Sequence, residues 1–195
     1  MSELLASQGR RTSGKKPQAD FEYIGALIEE FFHQRNVRAT LQAVSNHGIT
    51  GWEVWAQVEF ARFLAEHVTE PYWEREAQIE FDYRREKERY FFRPDFIIRK
   101  KYWALDRYVA LEIKQHQQPG NCITNMISDL TKVAKMRRSE LNVRSLWALG
   151  VFYTDNDLDV FEMIEEKLTD SDLKYFKSRT TVRRIAGTDF SYALF

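Results

Sequence analysis

The stretch FFRPDFIIRKKYWALDRYVALEIKQH, residues 91–116, decides how the chain folds. It holds two runs of alternating side chains that flank a charged, aromatic turn. Alternation with a period of two predicts β-strands. We therefore expect an antiparallel hairpin in which Phe96 lies opposite Leu111 and Ile98 lies opposite Val109. That register keeps the apolar faces together, whereas a shift by one residue would separate them.

The same register brings two acidic side chains together on the other face of the hairpin. Asp95 then faces Glu112, and Lys114 lies two residues beyond Glu112 on the same strand. Cβ atoms that are directly opposite across two strands lie about 4.5–5.5 Å apart. Two carboxylates this close repel each other, so we expect a raised pKa, a basic neighbour or a divalent cation to compensate them. This pair is the sharpest indication of chemistry in the sequence.

Length and composition limit the class of protein. A chain of 195 residues suits one domain, and 44% hydrophobic with 30% charged residues is the composition of a soluble globular protein. The formal net charge is zero, so contacts with a polyanion must come from local patches. A single cysteine, Cys122, excludes an internal disulfide and a cysteine-rich zinc site. We find no apolar run of membrane-spanning length and no signal-peptide core, and we expect a cytoplasmic protein.

The N-terminal segment differs in composition from the rest of the chain. Residues 1–19 are rich in serine, glycine and basic side chains with little to bury, which predicts a flexible tail. Residues 20–195 are expected to form a single domain. Its first helix should begin at Asp20, which we interpret as the N-cap.

The order of the predicted elements indicates a sheet covered by helices. Two further helices follow the first, and the third is expected to start with a capping box formed by Thr50 and Glu53. The later elements are strands at 77–83 and in the hairpin, a helix at 123–140, a strand at 146–153, helices at 157–168 and 171–177, and strands at 180–185 and 190–195, the last at an edge. This order predicts an α/β fold in which helices cover both faces of a mixed sheet.

One acidic residue of the third helix falls among apolar side chains. At about 100° per residue, Glu59 lies within an arc of aromatic residues and not on the polar face. A carboxylate directed at the core is costly unless it is paired, hydrogen-bonded or bound to a cation. Glu59 is therefore paired with an arginine for structure, or lies at an edge where it reaches water, or is a further carboxylate near the acidic pair.

The motif Arg93-Pro94-Asp95, followed by Glu112-Ile113-Lys114, resembles that of the PD-(D/E)XK nuclease superfamily. The resemblance covers residues 51–153, where a helix with an inward glutamate, three strands, a helix and a buried strand follow in the order of that superfamily. It implies a three-layer α/β/α, restriction-endonuclease-like core with a central mixed sheet of four or more strands.

The resemblance also implies roles for individual residues. The implied ligands of Mg²⁺, for which Mn²⁺ can substitute, are Asp95, Glu112, Glu59 and the backbone carbonyl of Ile113. Oxygen ligands of this kind suit Mg²⁺, which polarises a phosphoryl oxygen and lowers the pKa of a bound water. Lys114 would be the catalytic lysine and would stabilise developing negative charge. His116 continues the alternation of the strand and is a candidate accessory residue.

These residues predict a metal-dependent nuclease that hydrolyses phosphodiester bonds in DNA, in restriction, phage defence, mobile elements or repair. Three alternatives stay open. The chain could be a non-catalytic binding or immunity-type module on the same fold, or an RNA-directed or structure-specific nuclease. It could also be an unrelated α/β protein in which Glu112 and Lys114 form an ordinary ion pair. The expected partner is nucleic acid, with no membrane, and with either a homodimer or a partner protein as a further assembly.

Overall fold

The structure, a computed structural model, describes residues 15–79, 93–104, 107–134 and 143–195. Five α-helices, six strands and one 3₁₀ turn form within these ranges. They are α1 (Lys15–His33), α2 (Arg35–Asn46), α3 (Glu53–Glu66), β1 (Tyr72–Arg75), β2 (Phe96–Arg99), β3 (Tyr108–Gln115), α4 (Pro119–Ala134), β4 (Val143–Tyr153), α5 (Val160–Asp170), the 3₁₀ turn (Lys177–Arg179), β5 (Thr181–Arg184) and β6 (Phe190–Leu194).

These strands form one mixed sheet in the order β1-β2-β3-β4-β6-β5. Only β3 and β4 run parallel among these neighbours, and the other pairs are antiparallel. Parallel neighbours need a long crossover, which here contains α4. The last strand was expected at an edge, and this expectation is wrong: β6 lies between β4 and β5. All of its residues are buried, because apolar side chains pack on both faces of the sheet at this strand.

The hairpin has the predicted register. Phe96 pairs with Leu111 and Ile98 pairs with Val109. All four side chains are fully buried. A shift by one residue would turn this apolar set to the opposite face, so burial fixes the register.

Apolar side chains from alternate strand positions form a core on each face of the sheet. One core joins residues of β2, β3, β4 and β6 to α1, α2 and α3. The other joins Phe152 and Ala148 of β4 to α4 and α5. At Gly150 an added Cβ would collide with Met126 and lie 2.9 Å from the sulfur of Cys122. The absence of a side chain there lets α4 pack directly on β4.

Several predicted boundaries differ from the observed ones. Most of the strand predicted at 77–83 lies outside the described residues, and the strand that pairs with β2 is β1, five residues earlier. The helix predicted at 171–177 does not form, and only the 3₁₀ turn follows. In the described part of the chain, no helix combines the length and the apolar character that crossing a membrane requires.

The first helix begins earlier than predicted. α1 starts at Lys15, so residues 15–19, which we assigned to the flexible tail, belong to the helix, and residues 1–14 lie outside the described part. Asp20 is therefore not an N-cap. Its carboxylate is completely buried and accepts hydrogen bonds from Arg144 Nε at 2.9 Å and from Ser145 Oγ at 3.0 Å. A buried charge needs such partners, and this one ties α1 to the start of β4.

Replacing Asp20 by Asn should destabilise the fold, because it leaves Arg144 without its counter-charge. The free energy of unfolding should fall by about 3–5 kcal/mol, as for other buried ion pairs that lose one member. Urea denaturation measures this change. Glu22→Gln, an exposed acid on the same helix, is the control and should change stability by no more than about 0.5 kcal/mol. Equal changes in the free energy of unfolding for the two substitutions would show that the Asp20–Arg144 contact does not stabilise the fold.

Candidate functional site

Asp95 and Glu112 face each other at one end of the sheet. Asp95 directly precedes β2, and Glu112 follows Leu111, the partner of Phe96, so the two continue the register of the hairpin. Their carboxyl groups lie within hydrogen-bonding range of each other. Asp95 Oδ2 also accepts the backbone N–H of Ile113 at 2.6 Å. Ile113 thus contacts the pair through its N–H, and the metal contact implied for its carbonyl stays a prediction.

Burial and mutual repulsion make these two carboxyl groups hard to ionise together. Burial raises the pKa of Glu112 most, the charge of Asp95 adds to the shift, and the pKa reaches about 8. Burial also raises the pKa of Asp95, against the opposing effects of the Ile113 N–H and the Lys114 charge. Near neutral pH Glu112 therefore keeps its proton. A divalent cation could take the place of that proton.

Lys114 lies beside the pair with its ammonium group between two acids from different helices. Its Nζ is 3.2 Å from Asp129 Oδ2 on α4 and 3.6 Å from Glu53 Oε1 on α3. Burial alone would lower the pKa of Lys114, but the charges of Glu53, Asp129 and Asp95 outweigh it, so the pKa lies above its usual value. Lys114 is therefore a fixed positive charge at this end of the sheet.

The structure does not bring Glu59 to the site. Glu59 Oε1 accepts a hydrogen bond from Asn36 Nδ2 at 2.5 Å and lies 2.8 Å from a guanidinium nitrogen of Arg62. This is the structural pairing with an arginine that the sequence left open. Glu53, six residues earlier in α3, lies about 9 Å away along the axis and about 240° around it. The helix acid near Lys114 is Glu53, so the assignment of that position to Glu59 is corrected.

Glu53 also contradicts the predicted capping box. The N-cap of α3 is Trp52, and no side chain caps the helix. The carboxylate of Glu53 instead accepts the backbone N–H of Gln115, at 3.3 Å, while it faces Lys114. Glu53 therefore joins the start of α3 to the end of β3.

His116 follows the end of β3 and contacts the loop that leads to α4. Its ring Nδ1 accepts a hydrogen bond from the backbone N–H of Gln118 at 3.0 Å. The backbone N–H of His116 donates to the carbonyl oxygen of Val151 at 3.1 Å. These contacts fix the backbone and one ring nitrogen without joining the acidic pair. The accessory role of His116 stays a prediction.

The donor set at the pair suits a cation that keeps several waters. No group of three or more Asp, Glu, His or Cys side chains lies close enough to bind one metal ion within the described ranges. Asp95 and Glu112 supply two carboxylates, and Mg²⁺ commonly binds proteins through one or two carboxylates, with waters and substrate phosphate completing the octahedron. The residues present therefore fit Mg²⁺ better than a metal that needs a full set of protein ligands.

The sequence pattern does not indicate that Glu53 and Asp129 are neighbours of Lys114. Glu53 had a local explanation, since an acid in the first turn of a helix is favourable by itself. Asp129 lies on the polar side of its helix, where acids are ordinary. The helical periodicity of α3 is compatible with Glu53 pointing toward the end of the sheet. Only the position of α3 relative to β3 brings Glu53, and not Glu59, next to Lys114.

Comparison with known proteins finds no matching family model, no matching curated protein and no matching solved structure. The function is therefore inferred from the geometry of the residues described above.

The raised pKa of Glu112 predicts a particular dependence of stability on pH in metal-free protein. Between pH of about 4.5 and about 8 the folded state keeps a proton that the unfolded state releases, so the free energy of unfolding falls as pH rises through this window. The Glu112→Gln variant has no titrating group at position 112, so this decrease in the free energy of unfolding should be absent from it. Urea denaturation in the presence of chelator, at a series of pH values, should show the wild type losing stability relative to the variant.

The control for this comparison is Glu166→Gln, an exposed acid on α5. It should keep the pH dependence of the wild type. A stability difference between wild type and Glu112→Gln that is constant from pH 5 to pH 8 would contradict the raised pKa.

Proposed function

We propose that this protein is a metal-dependent nuclease that hydrolyses phosphodiester bonds in DNA. The observation that carries the proposal is the Asp95–Glu112 pair, two largely buried carboxyl groups held side by side. Such a pair is unfavourable without a compensating charge. Its cost is understandable at a site that binds a cation, and Lys114 next to it adds the positive charge that a phosphate needs.

Each residue of the site has a distinct part in this proposal. Asp95 and Glu112 would hold the cation, and the N–H of Ile113 fixes the orientation of Asp95. Mg²⁺, or Mn²⁺ in its place, would supply Lewis acidity toward the phosphoryl oxygen and a more acidic bound water. The ammonium of Lys114 stabilises negative charge that develops on the phosphate. Glu53 keeps Lys114 at the end of β3.

The architecture supports the same proposal. Helices cover both faces of the mixed sheet, and a hairpin is followed by a helix and a parallel strand. We propose that this is the three-layer α/β/α core of the restriction-endonuclease-like fold, and that the chain is related to PD-(D/E)XK nucleases. The acids and the lysine of the motif are all present, which favours catalysis over a binding module that has lost its activity.

Incubation of supercoiled plasmid and of single-stranded DNA with Mg²⁺ or Mn²⁺ tests the proposal. The wild type should cleave at least one of them, and chelator should stop cleavage. Asp95→Asn and Lys114→Ala should each lower the rate by about 10²-fold or more, as expected when a group that stabilises transition-state charge is lost. If the folded wild type cleaves no DNA with either metal, the non-catalytic binding module is favoured. Cleavage of RNA and not of DNA would show that the substrate is RNA.

Two acids of α3 provide a matched comparison within this assay. Glu53→Gln should lower the cleavage rate because it loosens Lys114, whereas Glu59→Gln should leave the rate within about twofold, since Glu59 contacts Arg62 and Asn36. Thermal melting confirms that both variants are folded. A larger loss of activity in folded Glu59→Gln than in Glu53→Gln would show that Glu59, and not Glu53, is the helix acid on which cleavage depends.

Metal binding should also stabilise the fold. A cation that binds only the folded site adds about 2.7 kcal/mol at a hundredfold excess over its dissociation constant. Asp95→Asn removes one of two repelling carboxylates, so its metal-free melting temperature should equal or exceed that of the wild type, and the metal-induced shift should disappear. Thermal melts with Mg²⁺, Mn²⁺ and chelator measure both effects. Melting curves of the wild type that do not respond to millimolar metal would count against a metal site.

A further inference from the structure

Asp129 has no part in the function proposed above, although it is the acid nearest to the ammonium of Lys114. Its Oδ2 lies 3.2 Å from Lys114 Nζ, against 3.6 Å for Glu53. The two side chains are about equally protected, with 19% of Asp129 and 20% of Lys114 exposed. An ion pair screened from water to this extent holds its members more firmly than one on the open surface.

The carboxylate of Asp129 is itself oriented by a second contact. Its other oxygen, Oδ1, accepts a hydrogen bond from Lys132 Nζ at 2.7 Å, one turn further along α4. Lys132 is largely exposed and contributes little binding energy. Its contact nevertheless occupies Oδ1, which leaves Oδ2 for Lys114. Asp129 thus links α4, by one defined oxygen, to the lysine of β3.

Lys114 lies beside the acidic pair but forms its ion pairs with two other acids. Among the described residues it pairs with Glu53 and Asp129, and these acids come from helices α3 and α4. A lysine side chain has a long flexible stem, so two acids in different positions restrict it far more than one would. Among the residues that the structure describes, neither Asp95 nor Glu112 forms an ion pair with a lysine.

We propose that Asp129 is a positioning residue, which holds the ammonium of Lys114 in the place where it acts on the phosphate. The inference rests on the proposed nuclease function. A catalytic group fixed before the reaction loses no freedom during it, and a displacement of about 1 Å can cost about 10²-fold in rate. Asp129→Asn keeps the shape of the side chain but removes the charge that attracts Lys114.

Steady-state cleavage of DNA by the full chain distinguishes positioning from a general structural role. Asp129→Asn should lower kcat by about 10- to 100-fold with little change in KM, because Lys114 acts on the transition state. Asp129→Glu restores the charge and should recover most of kcat. Glu166→Gln, an exposed acid on α5, should behave as wild type. A kcat of Asp129→Asn within twofold of wild type, or no recovery in Asp129→Glu, would overturn the inference.

An NMR measurement tests the same inference without cleavage. Relaxation of the ¹³C-labelled side chain of Lys114 should show an ordered ammonium end in wild type and Asp129→Glu, and a mobile one in Asp129→Asn. Unchanged mobility in Asp129→Asn overturns the inference, whether or not the protein cleaves DNA. Failure of the wild type to cleave any substrate would instead overturn the proposed function, so the two failures can be told apart.

Discussion

The pairing of β2 with β3 governs the end of the sheet where the candidate site lies. Burial of the apolar side chains Phe96, Ile98, Val109 and Leu111 contributes about 1.5–3 kcal/mol each, or at least about 6 kcal/mol together. Two carboxylates about 5 Å apart repel by about 3 kcal/mol at an effective dielectric constant of about 20. Burial of the apolar face therefore decides the register, and it outweighs the repulsion between the two carboxyl groups that this register brings together.

Several neighbouring groups together reduce the repulsion between Asp95 and Glu112. A retained proton and the N–H of Ile113 compensate the two carboxyl groups locally. Lys114 adds a positive charge nearby, but its own position is set by acids of two helices and not by the pair. The site thus consists of a largely buried acidic pair and a lysine that is held beside it. This separation suits a reaction in which cation and lysine act on the same phosphate.

Packing far from the site positions its helices. α4 lies close against β4 because Gly150 leaves room for Met126 and Cys122. That contact places the polar side of α4, with Asp129, near the end of β3. α3 is held on the opposite core by aromatic contacts such as Phe60 with Phe96, at 5.2 Å between ring centroids. The first turn of α3 then reaches the same strand end from the other side.

The sequence by itself determined the hairpin register, the acidic pair and the face that Lys114 shares with it, because alternation along a strand is a local property with a period of two. It could not determine which helix acids meet Lys114. Helical periodicity placed Glu59 on the apolar side, yet Arg62 and Asn36 hold that residue elsewhere. The contact of Asp20 with β4 likewise joins residues more than a hundred positions apart in the sequence. The interior position of β6 depends on how the last strands of the chain add to the sheet. Such choices depend on the distance and orientation between packed elements, and only the tertiary structure sets these.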